Sequence, residues 1–215
     1  RFLGRLRLDV GNAGPGMTLV EPFGYVDAMG LNWPVKAGAR INGASIPQPF
    51  WSITGGPFDG PYLKASVVHY WYCDLRVRPW QQVHRMFYDA MLVSGVNRLQ
   101  AKVMYLAVLA GGPRWNQQAI DNARLAMKSG LRTECFVGPD GVTRCASPAV
   151  YVEPVNYPPL LTDANELQKL AAAIRKDNPS LEQIEQMFPA KTIEELPAGT
   201  VVYQPRPELN PNPPV

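Results

Sequence analysis

The chain has 215 residues, of which 46% are hydrophobic and 18% charged, and its net charge is +3 at pH 7. This composition is typical of a globular protein and excludes a disordered chain. The basic residues form no dense run, so nothing in the sequence supports a nucleic-acid-binding surface. Because no stretch of about 18 apolar residues occurs, no membrane-spanning segment is expected.

The first fifty residues are predicted to form strands of an antiparallel sheet. The segment 5–10, RLRLDV, alternates polar and apolar residues, and an Asp-x-x-Gly turn lies between Tyr25 and Trp33. The chain begins at Arg1 without an initiator Met or an apolar signal core, so we expect a processed N-terminus or a fragment. The segment 36–61 is rich in Gly and Pro and is predicted to be a loop that leads into the first helix.

Four helices are predicted to follow this loop. The first two cover about 62–74 and 79–94, and the short connection between them predicts a helical hairpin. Asn97 is expected to cap the third helix, and a fourth helix is expected over 116–128.

Two of the three cysteines are predicted to face each other in a β-hairpin. Cys135 and Cys145 flank FVGPDGVTR, whose central Pro-Asp-Gly is a strong turn sequence. A hairpin of this length allows a disulfide bond in an oxidising compartment, and the alternative is two reduced cysteines that face each other. We therefore expect an extracytoplasmic protein, periplasmic or secreted, in which Cys73 is unpaired.

Residues 151–215 are predicted to form a helical extension with a proline-rich arm. Asp163 and Ser180 begin two helix-capping patterns, each followed by an apolar stripe. The final segment, YQPRPELNPNPPV, has no means of forming a core, so we expect it to dock on a protein partner or on a second copy. An N-terminal antiparallel sheet followed by helices predicts a single α+β domain over residues 1–150.

Both histidines of the chain and one cysteine lie in the predicted helical hairpin. His69 and Cys73 are one turn apart on the first helix, and His84 is expected at a similar height on the second. Two imidazoles and a thiolate form a three-ligand zinc set with the fourth position left for water, and the same atoms can serve without metal as a general base held by a polar partner. The alternative interpretation is a set of satisfied core residues.

The loop INGASIPQPFW offers further polar groups ahead of the first helix. Asn42 supplies a side-chain amide and Ser45 a hydroxyl, while the glycine between them allows close backbone approach. Both are candidates for the mouth of a catalytic site that contains His69, Cys73 and His84. The alternative is an Asx-type turn that leads the following aromatic residues into the core.

The motifs NGASIPQPFW, ASVVHYWYCD, HRMFYDAM, AKVMYLAV and GGPRW follow one another between residues 24 and 115. In this order they resemble a bacterial and phage family known as domain of unknown function 1353, which has a D-G-A-S-I-P loop and a helix with A-x-x-x-H-D-x-x-Y. The resemblance implies no reaction, because the function of that family is not established. Asn42 and Tyr70 stand where many members have Asp, and since a phenol is a poor ligand for hard cations, a calcium-dependent mechanism is not expected.

The sequence is compatible with two functions. The first is an extracytoplasmic hydrolase with His69 as base or metal ligand, His84 as its partner or a second ligand, and Cys73 as a third ligand. The second is a non-enzymatic assembly or binding module of a cell envelope, filament or phage particle, in which the C-terminal arm docks on a partner. The clustered histidines favour the first.

Overall fold

The structure is a computed structural model that describes residues 1–10, 16–41, 51, 60–118, 120–121, 125, 134–137, 143–146, 160–161 and 163–188. The chain divides into two compact units. One is made of Arg1–Arg114 with Tyr157–Lys191, and the other of Trp115–Asn156 with Thr192–Val215. The predicted domain boundary near residue 150 lies outside the described residues and stays a prediction.

Two three-stranded antiparallel sheets form the N-terminal part of the first unit. The strands are β1 (Phe2–Leu3), β2 (Leu8–Asp9), β3 (Met17–Leu19), β4 (Phe23–Val26), β5 (Asn32–Val35) and β6 (Arg40–Ile41). Their order is β1-β4-β5 in one sheet and β2-β3-β6 in the other. The predicted antiparallel arrangement is confirmed, but the strands are short and divide between two sheets where one was expected.

The predicted Asp-x-x-Gly turn joins β4 to β5. Gly30 has a φ of +81°, and Asp27 Oδ1 accepts hydrogen bonds from the N–H groups of Met29 and Leu31. Asp27 Oδ2 accepts a 3.0 Å hydrogen bond from Nε1 of Trp33, whose ring is fully buried. One carboxylate therefore organises the turn and fixes the largest side chain of β5.

Five helices have both bounds within the described residues, namely α1 (Leu63–Leu75), α2 (Trp80–Val93), α3 (Arg98–Gly111), α4 (Ala164–Asp177) and α5 (Leu181–Gln186). The first three lie close to their predicted bounds, and Asn97 caps α3 as predicted, since its Oδ1 accepts a 2.9 Å hydrogen bond from the Leu99 N–H. Most of the predicted helix 116–128 lies outside the described residues. Sheets followed by helices confirm the α+β class. None of the helices within the described ranges is long and apolar enough to cross a membrane.

The turn between α1 and α2 is fastened to strand β5. Arg76 ends α1 in a left-handed conformation with a φ of 50°. The guanidinium of Arg78 lies 4.0 Å from the centre of the Trp33 ring and donates a 2.8 Å hydrogen bond to the Asn32 carbonyl. Because α1 also packs against β5 and β6, the sheets hold the helical hairpin in place.

The C-terminal helices pack against α3. Lys102 of α3 is only 7% exposed and donates a 2.6 Å hydrogen bond to Oδ1 of Asn178, the residue that ends α4. Tyr105 of α3 donates a 2.5 Å hydrogen bond to Glu185 of α5. The capping box predicted at Ser180 is present at the start of α5. The two C-terminal helices therefore belong to the same compact unit as the sheets.

The predicted cysteine hairpin is present in the second unit as β7 (Glu134–Val137) and β8 (Thr143–Ala146), which pair antiparallel with Cys135 opposite Cys145. The side chains of these strands lie outside the described residues. No disulfide bond is found among the side chains that are described, so the Cys135–Cys145 disulfide is not supported and stays a prediction. The proline-rich arm also lies outside the described residues.

Candidate metal centre

Helix α1 is buried on almost every side and carries polar side chains into the protein interior. Its buried residues are Ala65, Ser66, Val67, Val68, His69, Trp71, Tyr72 and Cys73. A helix that is apolar nearly all round packs inside a protein, so His69 and Cys73 are buried with it. Because they are one turn apart, their side chains share a face of the helix.

Helix α2 is amphipathic and packs its buried stripe against α1. The stripe contains Val83, His84, Met86, Phe87, Tyr88, Ala90 and Met91, whereas Gln81 and Gln82 are exposed. The ring of Phe87 stacks on the ring of His69, with 4.5 Å between the ring centroids. This stack brings the facing sides of the two helices into direct contact, and His84 lies one turn earlier on the same side of α2.

His69, Cys73 and His84 form a cluster, here named the His/Cys/His cluster. His69 Nε2 and His84 Nδ1 lie 2.8 Å apart. Cys73 Sγ lies 3.5 Å from His69 Nε2 and 4.0 Å from His69 Nδ1. One ligand atom from each residue lies within 4.8 Å of the other two. The grouping predicted from the helical hairpin is therefore present.

The His/Cys/His cluster is closed to solvent. His69 and His84 are 0% exposed, and Cys73 is 5% exposed. A hydrolytic site needs a route by which water and substrate reach the reacting group, and the described side chains around the cluster leave none of its three members open. The residues meet as predicted, but they meet in the core.

Burial keeps both imidazoles neutral. It lowers the pKa of His69 well below the usual range, and the repulsion that would arise if both rings carried a proton charge lowers that pKa further. Burial also lowers the pKa of His84 to about 3, although the carbonyl of Pro113 acts in the opposite direction and the charge of Arg114 adds to the lowering. Two neutral rings joined nitrogen to nitrogen share one proton, so one ring donates and the other accepts.

Three residues next to the cluster were not among those predicted, namely Trp80, Phe87 and Arg114. The ring of Trp80 lies 5.5 Å from the ring of His84, and the guanidinium of Arg114 lies 5.9 Å from the ring of Trp80. Trp80 precedes His84 by four residues and Phe87 follows it by three, so helical spacing alone places both beside it. Arg114 follows α3, and no local pattern brings it towards α2.

The remaining predicted site residues, Asn42 and Ser45, lie outside the described residues, so their contacts at the mouth of a site stay predictions. Tyr70, which stands where the resembling family has Asp, is half-buried on α1. The next residue, Trp71, is 4% exposed.

Comparison with known proteins gives relatives of unassigned function. The chain is similar to the uncharacterized protein y4jT of Sinorhizobium fredii (strain NBRC 101917 / NGR234), with 37% identity over 188 residues that cover 87% of this chain and 53% of y4jT. It is also similar to the uncharacterized protein y4iH of the same strain, with 45% identity over 97 residues that cover 45% of this chain and 41% of y4iH. No solved structure matches the chain.

The chain thus spans about half the length of the curated relatives it matches. A family model described as a protein of unknown function (DUF1353) matches residues 17–108. This segment contains strands β3 to β6, helices α1 and α2 and most of α3, and it includes the whole His/Cys/His cluster. The resemblance predicted from the sequence motifs is confirmed: residues 17–108 of this chain match the DUF1353 family.

Proposed function

We propose that the protein holds a zinc ion between α1 and α2, with His69 Nε2, His84 Nδ1 and Cys73 Sγ as three of its ligands. The observation that carries this proposal is the convergence of three ligand atoms within 4.8 Å of one another. Imidazole nitrogen and thiolate sulfur are ligands that zinc prefers, and three protein ligands leave a fourth position for water.

Two of the three distances between the ligand atoms can be compared with those of a tetrahedral zinc site. With zinc–nitrogen bonds of about 2.05 Å and zinc–sulfur bonds of about 2.3 Å, two nitrogens lie about 3.3 Å apart, and nitrogen lies about 3.6 Å from sulfur. Cys73 Sγ is 3.5 Å from His69 Nε2, which matches this requirement. The nitrogens of His69 and His84 are 2.8 Å apart, so they would separate by about 0.5 Å when the ion replaces their shared proton.

The protonation states also suit a metal ion. Metal ligands must be neutral imidazoles or deprotonated thiols, and burial keeps the pKa values of His69 and His84 low. The proton shared by the two rings only has to move to an outer ring nitrogen, whereas the Cys73 thiol has to lose its proton. Binding is therefore expected to release one proton for each ion bound.

A hydrolase activity would extend this proposal. Zinc-bound water loses its proton near neutral pH and then attacks esters, amides or phosphoesters. Asn42 and Ser45 would supply polar contacts to the substrate in this role. Because the three ligand side chains are buried, hydrolysis needs a path that reaches the ion from solvent. Without such a path, the ion joins α1 to α2 and stabilises the fold.

Metal analysis of the purified full chain tests the zinc proposal. We expect about one zinc ion per chain in the wild type and far less in Cys73→Ser and in His84→Gln, since each variant loses one of three ligands. Gln82→Ala, an exposed position of α2, is the matched control and should retain the ion. The same ligand set accepts copper, so the element that is found identifies the metal. A wild type that contains no metal and takes none up would contradict the proposal.

An activity screen tests the hydrolase extension separately. Zinc-loaded protein is assayed with ester, amide and phosphoester substrates, before and after chelation, and His69→Gln serves as the inactive variant. Activity that requires both zinc and His69 would support a hydrolase. A loaded protein that is stable but inactive on every substrate would leave zinc with a structural role only.

The extracytoplasmic location and the docking arm remain proposals. The register that sets Cys135 opposite Cys145 supports a disulfide bond and an oxidising compartment. Mass spectrometry of the unreduced protein, isolated under thiol-blocking conditions, would detect that bond.

For the C-terminal arm, only the proline-rich composition supports docking on a protein partner or a second copy. Deletion of the residues after Leu196 should then reduce the mass measured by light scattering, and an unchanged mass would contradict self-association.

A further inference from the structure

The N-terminal end of α2 has the features of an anion-binding site. The helix begins at Trp80 after Pro79, which as the N-cap residue makes no side-chain hydrogen bond to it, and its first turn contains no acidic residue. The first N–H groups of a helix have no partner within the helix, and together they carry a partial positive charge. Nothing within α2 itself offsets this charge.

Two buried ring nitrogens at this end of α2 lack hydrogen-bond partners. They are Nε1 of Trp80 and Nε2 of His84, whose rings lie 5.5 Å apart. The Pro113 carbonyl lies near enough to the His84 ring to raise its pKa, yet it does not meet hydrogen-bond geometry at Nε2. The Pro113 carbonyl therefore does not satisfy Nε2 of His84, because a buried N–H group needs a well-aligned hydrogen bond. Since buried polar groups are almost always satisfied, these two neighbouring groups mark a place where a hydrogen-bonding group fits.

Arg114 brings a positive charge to the same end of the helix. It is 7% exposed, its guanidinium lies 5.9 Å from the ring of Trp80, and its charge lowers the pKa of His84. Indole and guanidinium nitrogens only donate hydrogen bonds, and His84 Nε2 also donates whenever Nδ1 accepts from His69. The group that fits these donors must accept hydrogen bonds only.

We propose that Trp80, His84 and Arg114, together with the first N–H groups of α2, bind an oxyanion, which is a phosphate or carboxylate group of a small ligand. Oxyanions are the usual ligands of helix N-termini, and a guanidinium binds them with two parallel hydrogen bonds. A buried water fits less well, because it accepts only two hydrogen bonds, whereas Trp80, His84 and Arg114 offer at least three donors. Nδ1 of His84 serves the His/Cys/His cluster and Nε2 faces away from it, so this site does not depend on bound metal.

Titration of the isotope-labelled full chain with inorganic phosphate, followed by nuclear magnetic resonance, tests this site. The indole N–H signal that is missing in Trp80→Phe belongs to Trp80, and we expect it to shift saturably with phosphate. Arg114→Gln should weaken phosphate binding by at least about tenfold, because it removes a charged, two-bond contact. Arg114→Lys keeps the charge without the planar fork and should weaken binding less. Arg175→Gln, at an exposed position of α4, is the control and should bind as the wild type does.

Further measurements show which anion binds and whether it binds at the start of α2 or at the metal. Acetate used in place of phosphate shows whether a carboxylate is sufficient. Binding that persists after chelation and in Cys73→Ser places the anion at the start of α2, whereas binding that disappears with the metal places it on the ion and overturns the proposal. No saturable shift of the Trp80 signal with either anion would mean that water satisfies these donors and would also overturn it. The proposal would also be overturned if folded Arg114→Gln protein bound phosphate with wild-type affinity.

Discussion

Mild acid is expected to destabilise the protein through its buried histidines. In the unfolded chain a histidine takes up a proton around pH 6.5, whereas burial lowers the pKa of His84 in the folded protein to about 3. Between these two values the unfolded state binds more protons than the folded state, so the free energy of unfolding falls as the pH falls. The stability from this group is fully present above pH 6.5 and is lost progressively towards pH 3.

A change from pH 7 to pH 5 covers the upper part of this range. For a group with an unfolded pKa of 6.5 and a folded pKa of about 3, the lost free energy of unfolding over this change is about 2 kcal/mol. His69 adds a loss of the same sign, because burial lowers its pKa as well. The expected effect is therefore a substantial fraction of the usual stability of a domain, which is about 5–15 kcal/mol.

Urea denaturation at both pH values, in the presence of a chelator, measures this loss. His84→Gln removes the titrating group, so the variant should lose about 2 kcal/mol less than the wild type between pH 7 and pH 5, whatever its stability at pH 7. Gln82→Ala, the exposed neighbour, should lose as much as the wild type. Equal losses in the wild type and His84→Gln would refute the conclusion that His84 is neutral and buried in the folded protein.

Three further substitutions test hydrogen bonds of the first unit, and urea denaturation at pH 7 measures each. Asp27→Ala removes the acceptor of three hydrogen bonds, including that of buried Trp33, and should lower the free energy of unfolding by about 2–3 kcal/mol, with a smaller loss in Asp27→Asn. Lys102→Met removes the hydrogen bond from the ammonium to Asn178 and should cost about 1 kcal/mol, and a wild-type value would contradict a stabilising role for this contact. Asn97→Ala should cost about 1 kcal/mol through loss of the α3 cap, while Asn97→Ser should stay near the wild type.

The helical hairpin and its cluster could be predicted because every signal for them is local. A proline marks the start of α2, Asn97 caps α3, and His69 and Cys73 are one turn apart in any helix. The turn between the helices is short, so the two helices must be neighbours and His84 must lie near His69. Local geometry therefore determines which side chains meet.

The burial of the cluster and its surroundings could not be predicted in the same way. Exposure depends on what packs over the hairpin, and the sheets that fasten its turn do so through Arg78 and Trp33, which lie far apart in the sequence. Lys102 meets Asn178 across 76 positions of the chain. Nothing in the spacing of residues around Lys102 indicates this partner, because such contacts arise only when the helices pack.

The ligand atoms of the cluster all come from one short stretch of chain, with His69 and His84 only 15 positions apart. Closing so short a loop costs little chain entropy, and contacts of this kind form early in folding. The C-terminal helices contribute contacts as distant as that between Arg85 and Glu185, 100 positions away. During synthesis the hairpin can therefore form before α4 and α5 leave the ribosome, so the three ligand atoms come together without any contribution from those helices.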